Sequence, residues 1–315
     1  MKNTIFALFL FFLHASLIGA ESHWPNGAQL VIAINMNFES GGQPEGALSP
    51  WTGSPMEPGY VDLPANTWWA YGYKEGIGRL LDLWDKHNIK VSSYVVGEAA
   101  LKNPKVAKAI ADRGHELVAH GIRWQDGEYK RWQDGEYKMS YEEETKFIKD
   151  GIDAIVQTTG FKPSGYNAWW LRRSKNTLKI LQDLGLNYHV DDVSRDEPFV
   201  TMVRGKKFAV VPYTVRNNDI VQVELNHFPA QQFLSELKLE FDRLYAEGTQ
   251  KRRMMSVSTH DRIGGTPAMV EAIDQFIQYA KKHPGVIFMR RDEIAKVVLD
   301  EKDPLVDNTE IEYNQ

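Results

Sequence analysis

The segment Asn103–Trp124, NPKVAKAIADRGHELVAHGIRW, holds one complete helix-to-strand unit. PKVAKAIADRG has helical periodicity and is stopped by Gly114 in the position after the helix end, where a left-handed residue is favoured. ELVAH is a short apolar strand that ends at His120. Upstream, VSSYVVG forms a strand, preceded by EGIGRLLDLWDKHN, which places Ile77, Leu80, Leu81 and Trp84 on one helical stripe. Before that, LVIAINMNF (Leu30–Phe38) opens with an unbroken apolar run, Leu30–Ile34, that is not confined to one face, as a strand buried on both faces requires.

The alternation continues downstream. Ser140-Tyr141-Glu142-Glu143 is a capping box that opens a helix running to about Thr159. GYNAWW and NYHVDD are strand candidates separated by a helix around Thr177–Leu184. KFAVVPYT and MMSVSTH follow as strands, with the long helix Gln231–Glu247 between them. Thr266-Pro267 supplies an N-cap and a first-turn proline for a helix burying Val270, Ile273, Ile277 and Ala280. VIFMR and DEIAKVVL close the series. Six to eight βα units in succession predict an α/β fold, a distorted (β/α) barrel of about seven or eight parallel strands. A doubly wound open sheet is the alternative, but no Gly-x-Gly-x-x-Gly follows the first strand.

No linker or shift of composition interrupts residues 25–300, so the chain reads as one catalytic domain over 21–315. Residues 1–20 read as a secretory signal peptide: Lys2, an apolar run from Ile5 to Leu13, and the small pair Gly19-Ala20. The run is short for a membrane span and is broken by His14. The expectation is a periplasmic or secreted protein with no membrane attachment after cleavage. A net charge of −5 gives no reason to expect nucleic acid as a partner. With no cysteine, thiol nucleophiles, thiolate metal ligands and disulfides are all excluded. A homo-oligomer is compatible with everything above.

Reacting groups in a βα barrel collect on the loops after the strands. Those ends hold Asn37-Phe38-Glu39, His120, Tyr166-Asn167, Asp191-Asp192 and His260. Each alone has a bland alternative, such as a satisfied strand-end histidine or an aspartate capping a turn. His87, His115, His189, His227 and His283 are left to structural or solvated roles, and Trp169-Trp170 to barrel packing. Gly41–Trp69, rich in Gly, Pro and Trp, is long enough to be a functional lid or rim. Directly after His120 the octapeptide Arg123–Lys130 is repeated as Arg131–Lys138. Its Asp-Gly turns mark a loop, read as a tolerated duplication, with an aromatic clamp as the competing view.

These motifs together resemble the polysaccharide deacetylase (NodB-homology) family, near its metal-independent allantoinase-like branch. The resemblance spans roughly residues 28–298 and rests on NFESGG, on NPKVAKAIADRGHELVAHGIRW, on RRSKNTLKILQDLG and on STHDRIGGTPAMVEAIDQFIQYAKKHPGVIFMRRDEIA. It implies a hydrolase that cleaves a non-peptide carbon–nitrogen bond. Glu39, His120, Arg172 and His260 would be catalytic, and Asn37, Trp124, Tyr166, Asp191 and Asp192 would bind substrate. The family's usual members hold a metal with two histidines four residues apart, but here His120 is followed at that spacing by Trp124, which offers no lone pair. Only Glu39 and His120 remain as metal ligands, one short of a catalytic zinc site. No cofactor is therefore expected, with a divalent metal such as zinc as the alternative. Water activation then falls to Glu39 or His120, with His260 as the acid and Asp261 a candidate to orient it. The substrate is expected to be a glycan amide, as in N-deacetylation, or a small cyclic amide or ureide. A non-catalytic carbohydrate-binding barrel is the reading from a different class.

Overall fold

The structure is a computed structural model that describes residues 23–43, 56–57, 59–124 and 136–309. The signal peptide expected at 1–20, part of the Gly41–Trp69 segment and the greater part of the doubled octapeptide lie outside these described residues.

Among the described residues one sheet is formed by β1 (Leu30–Phe38), β2 (Ser92–Val95), β3 (Glu116–Ala119), β4 (Gly165–Tyr166), β5 (Tyr188–His189), β6 (Phe199–Val203), β7 (Lys206–Val210), β8 (Met254–His260) and β9 (Val286–Phe288). The order is β6-β7-β5-β4-β3-β2-β1-β8, and β9 also pairs with β1. Every pairing is parallel except β6 with β7. The mostly parallel, curled sheet is the barrel expected from the alternation. The correction is β6: not every strand is parallel. Arg204 (φ 48°) and Gly205 (φ 74°) join β6 to β7. Positive φ at both residues is what a tight two-residue hairpin requires.

The helices are α1 (Leu63–Tyr71), α2 (Ile77–Lys86), α3 (Gly97–Lys102), α4 (Pro104–Asp112), α5 (Tyr141–Thr159), α6 (Thr177–Asp183), α7 (Ala230–Glu247), α8 (Pro267–Ala280) and α9 (Arg291–Asp300). The Ser140 hydroxyl accepts the Glu143 amide at 3.2 Å while the Glu143 carboxylate accepts the Ser140 amide at 2.8 Å, completing the α5 capping box. Thr266 does not cap α8 with its side chain; its hydroxyl donates to the Ile263 carbonyl at 2.8 Å.

Strand β1 is buried along its whole length, but its two faces differ. Leu30, Ile32, Ile34, Met36 and Phe38 point outward into a core shared with α2, α4, α5, α7 and α8, among them Trp84, Ile110, Ile148, Phe241 and Phe276. Val31 and Ala33 point inward, packing with Tyr94, Val118, Tyr188, Val200 and Val211. The period of two thus separates a helix-facing layer from a barrel interior. Toward the strand ends that interior turns polar: the Asn35 and Asn37 amides donate to the Ser258 hydroxyl at 3.0 and 3.2 Å.

One side of the ring is closed without a regular ladder. Ser258 N donates to the Asn217 carbonyl at 2.9 Å, and Asn218 forms an isolated parallel bridge with Ser258. The Ser256 hydroxyl donates to the Pro212 carbonyl at 2.7 Å. The fully buried Arg291 donates through Nη1 to the carbonyls of Val211 and Pro212 at 3.1 and 2.8 Å, and through Nη2 to Ser256 Oγ at 3.2 Å. Next to Arg291, at the N-terminal ends of the strands, Glu116 accepts from the Ser92 hydroxyl (2.5 Å), the Tyr188 hydroxyl and the Asp292 amide (3.1 Å). Burial, with the nearby Asp292 charge, lifts the Glu116 carboxyl to about 7.

Candidate active site

The register of β1 against β8 pairs Asn37 with His260, so the residues that follow each strand emerge side by side. The Asp261 carboxylate binds the turn after β1, accepting the amides of Glu39 and Ser40 at 3.1 and 2.9 Å and the Ser40 hydroxyl at 2.8 Å. This fixes Glu39 in the barrel mouth, 2% exposed. Two strands away, His120 follows β3, its amide donating to Val95 at 3.1 Å. The sharp turn behind it needs Gly121 (φ 70°), where a Cβ would stand 2.3 Å from the Phe147 ring.

The two histidines converge on one atom. His120 Nε2 lies 3.5 Å, and His260 Nε2 3.7 Å, from Glu39 Oε1. Each ring is held from behind. His120 Nδ1 meets the Asn167 carbonyl at 2.7 Å; a carbonyl only accepts, so Nδ1 carries the proton and Nε2 the lone pair of the neutral ring. His260 Nδ1 meets Asp219 Oδ1 at 2.6 Å, and the His260 amide donates to Asp219 Oδ2 at 2.6 Å. The Asn218–Ser258 bridge brings Asp219 there. Burial alone would lower the His260 pKa, but the charges of Asp219 and Glu39 lift it above the ordinary histidine value.

The other Glu39 oxygen, Oε2, accepts from Arg262 Nη1 at 2.8 Å. Burial by itself would raise the Glu39 pKa; the charges of His260 and Arg262 chiefly overcome it and hold this carboxyl well below the usual range. The Arg262 guanidinium is itself caged by indoles, its Cζ 3.9 Å from the Trp69 ring centroid, 4.8 Å from Trp68 and 5.6 Å from Trp124. Trp124 continues the stack to Trp169, 5.1 Å between ring centroids.

The remaining expected residues are placed as follows. Asp191 Oδ1 accepts from Asn167 Nδ2 (2.7 Å) and the Ala168 amide (2.8 Å), so it braces the carbonyl that holds His120. Burial, more than its partners, sets the Asp191 carboxyl at about 6. Its Oδ2 faces Arg173 Nε at 3.6 Å, so the arginine seen against it is one residue beyond Arg172, which is half-buried at the end of the short turn Trp169–Leu171. The Asn37 amide is engaged by Ser258 and by the Thr259 carbonyl at 3.0 Å. Three expectations are corrected. Tyr166 packs in the layer between sheet and helices, because its neighbour Gly165 takes the inward position under the Tyr188 ring. Asp192 is turned into its own loop, accepting the Ser194 amide and hydroxyl at 2.8 and 2.7 Å. A third concerns the partner of His260, which is Asp219 and not Asp261.

The donor set does not fit a divalent metal. Among the described residues no group of three or more His, Asp or Glu could hold one. One oxygen of Glu39 is taken by a guanidinium, whose charge would repel a cation there, and the Trp124 indole stands where a second histidine would.

A curled, mostly parallel α/β barrel carries two histidines, a glutamate and their orienting partners at its strand ends, the kinds of group that acid–base hydrolysis uses. A family model for polysaccharide deacetylases matches residues 68–189. A crystal structure of a probable polysaccharide deacetylase from Pseudomonas aeruginosa is 31% identical with a TM-score of 0.79, over 89% of this chain and 94% of that one. The allantoinase PuuE is 31% identical with a TM-score of 0.77, over 87% and 92%. A peptidoglycan deacetylase of Helicobacter pylori is 23% identical over 253 residues, 70% of this chain and 82% of its own. The chain belongs to the polysaccharide deacetylase family.

Sequence reasoning missed Asp219 and Arg262 as site residues. Asp219 lies in the irregular stretch after β7, at the start of a π-helical turn (Ile220–Leu225), and its sequence context, Asn-Asn-Asp, looks like any polar loop. Arg262 is two residues from His260, but its partner Glu39 is 223 positions away.

Proposed function

We propose that this protein hydrolyses a small cyclic amide or ureide without a metal. The observation that carries the reading is the Glu39–Arg262 pair under three indoles, which puts a fixed cation where this family's usual members need an open metal site. A protein base then has to activate water, an effect worth roughly 10²–10⁴ in rate, which suits a strained or activated amide better than a plain acetamide. The likeness to an allantoinase supports this.

His120 is the base. Its Nε2, the lone-pair atom of the neutral ring, lies 3.5 Å from Glu39 Oε1, whereas Glu39, held ionised far below neutrality, is too weak to take a proton from water. The Glu39 charge instead favours the imidazolium that forms as His120 takes that proton. His260, charged and oriented by Asp219, donates from Nε2 to the departing nitrogen. An N-acetylated glycan is the second reading, favoured by the aromatic wall that Trp68 and Tyr71 give the cavity beside the site. Residues 1–20 are proposed to export the protein to the periplasm or medium, and the mass of the mature chain checks this directly.

The test is a screen of chelator-treated protein against cyclic imides, ureides and N-acetylated sugars. Release of acid from a cyclic substrate is expected. Hydrolysis of acetylated sugars alone, or no turnover of any of them, would sink the reading.

A further inference from the structure

Arg262 has a use that the Glu39 pair does not exhaust. Its Nη1 bonds Glu39 at 2.8 Å and Asp261 Oδ1 at 3.3 Å. Its Nε and Nη2, the other edge of the guanidinium, are buried and have no hydrogen-bond partner among the described residues. Buried donors are rarely left unpaired. That edge presents two parallel N–H groups, the arrangement with which arginine binds oxygen. Arg262 also forms part of the wall of a cavity of about 460 Å³, with Thr67, Trp68, Tyr71, Glu224 and Thr266. The volume is that of a small-molecule site.

The surrounding charges say which oxygen. The Arg262 charge is already balanced by Glu39, and Glu224 adds a carboxyl on the same cavity. An anionic ligand would find no surplus positive charge. A neutral carbonyl needs none to bind through those two N–H groups; its oxygen becomes negative only as water adds, and interactions made mainly in the transition state raise turnover.

We propose that Arg262 is a catalytic residue whose Nε–Nη2 edge takes the carbonyl oxygen of a neutral cyclic amide or ureide and carries the charge that oxygen develops. Because that edge is buried, admitting the oxygen requires the Trp68 indole, the half-exposed leaf of the cage, to move. As the water oxygen bonds to the carbonyl carbon, the C=O π pair moves onto the oxygen at Arg262 and His120 takes the water proton. When that pair returns, the C–N bond breaks and the His260 proton passes to nitrogen. The inference rests on the hydrolase reading above.

The test compares Arg262→Lys with the unaltered protein on the best substrate of the screen. Lysine keeps a charge opposite Glu39 but has no planar edge. A folded variant is expected to lose roughly 10²–10³ in kcat with KM nearly unchanged. A folded variant within about tenfold of the original kcat overturns the role of Arg262, while the hydrolase reading stands. Should lysine prevent folding, a crystal of the unaltered protein soaked in hydantoin decides: a carbonyl oxygen within about 3.2 Å of Nε and Nη2 supports the proposal, and hydantoin seated with its oxygens elsewhere overturns it. An unaltered protein inactive on every amide screened sinks the hydrolase reading itself.

Discussion

His120 and His260 face each other across a single atom, Glu39 Oε1, and each is held from behind by a different kind of partner: a carbonyl for His120, a carboxylate for His260. The asymmetry supports the roles proposed for them. A carbonyl behind the ring fixes a proton on Nδ1, so that the lone pair of a neutral His120 would lie on Nε2. A carboxylate favours the charged ring with a proton forward.

Replacing His260 by Gln separates its acid role from its place in the structure. Turnover should fall by roughly 10²–10⁴ while the protein stays folded. The pH dependence has a defined sign. Because the folded pKa lies above 6.5, the proton is present, and its contribution to stability complete, below pH 6.5; both are lost as pH rises through the folded value. His260→Gln should remove that slope from stability measured between pH 6 and 9. Full activity in a merely destabilised variant would take His260 out of the mechanism.

Asp219→Asn should act through His260. The amide cannot sustain the charged ring, so the alkaline limb of the pH–rate profile should move to lower pH, with kcat down at least tenfold. A purely structural Asp219 would lower the thermal midpoint and leave that limb in place.

Chelation should leave activity within about twofold, because the donor set lacks a third ligand. Trp124→His alone should not confer stoichiometric zinc, since the Arg262 charge remains 2.8 Å from Glu39. Elemental analysis of protein purified without chelators checks both. Zinc bound one-to-one in the unaltered chain, with activity lost to chelator and restored by zinc, would reverse the conclusion.

Glu116 gives the far end of the barrel its own pH response. Its carboxyl is lifted from 4.5 to about 7, so the folded state prefers the proton, and stability falls as pH rises between those values. Glu116→Gln should flatten that fall in urea midpoints measured from pH 4 to 8. An unchanged slope would show that Glu116 titrates normally.

Deleting Arg131–Lys138 should preserve the fold. His120, Trp124 and the Ser140 cap all survive, and Tyr137, from the second copy, is 45% exposed. Shortening a loop by eight residues changes its closure entropy by well under about 1 kcal/mol. A midpoint lowered by tens of degrees would place the second copy in the core.

What the sequence revealed and what it hid have physical causes. Continuous apolar runs such as Leu30–Ile34 mark strands buried on both faces, and Ser140 with Glu143 fixes the start of α5 locally. His120 and His260 were legible because each follows or closes such a run. The β6–β7 hairpin was not, because Arg204 takes the positive φ that usually identifies a turn through Gly or Asn. Tyr166 shows the limit of reading strand ends: one residue of register decides whether a side chain faces the mouth or the helices. Arg262 and Asp219 depend on contacts across the ring that no local pattern encodes.

The seam beside β8 has a dynamic consequence. Where the other strands meet through ladders, residues 211–218 reach β8 through one bridge and a handful of side-chain bonds from Ser256, Asn217 and Arg291. Stretches held by few backbone bonds open at lower free energy than ladders do, and their amides exchange with solvent first. Asp219 is the next residue along that stretch. Parting the seam therefore also withdraws the carboxylate from His260, so that local opening of the ring and loss of the proton donor are one event.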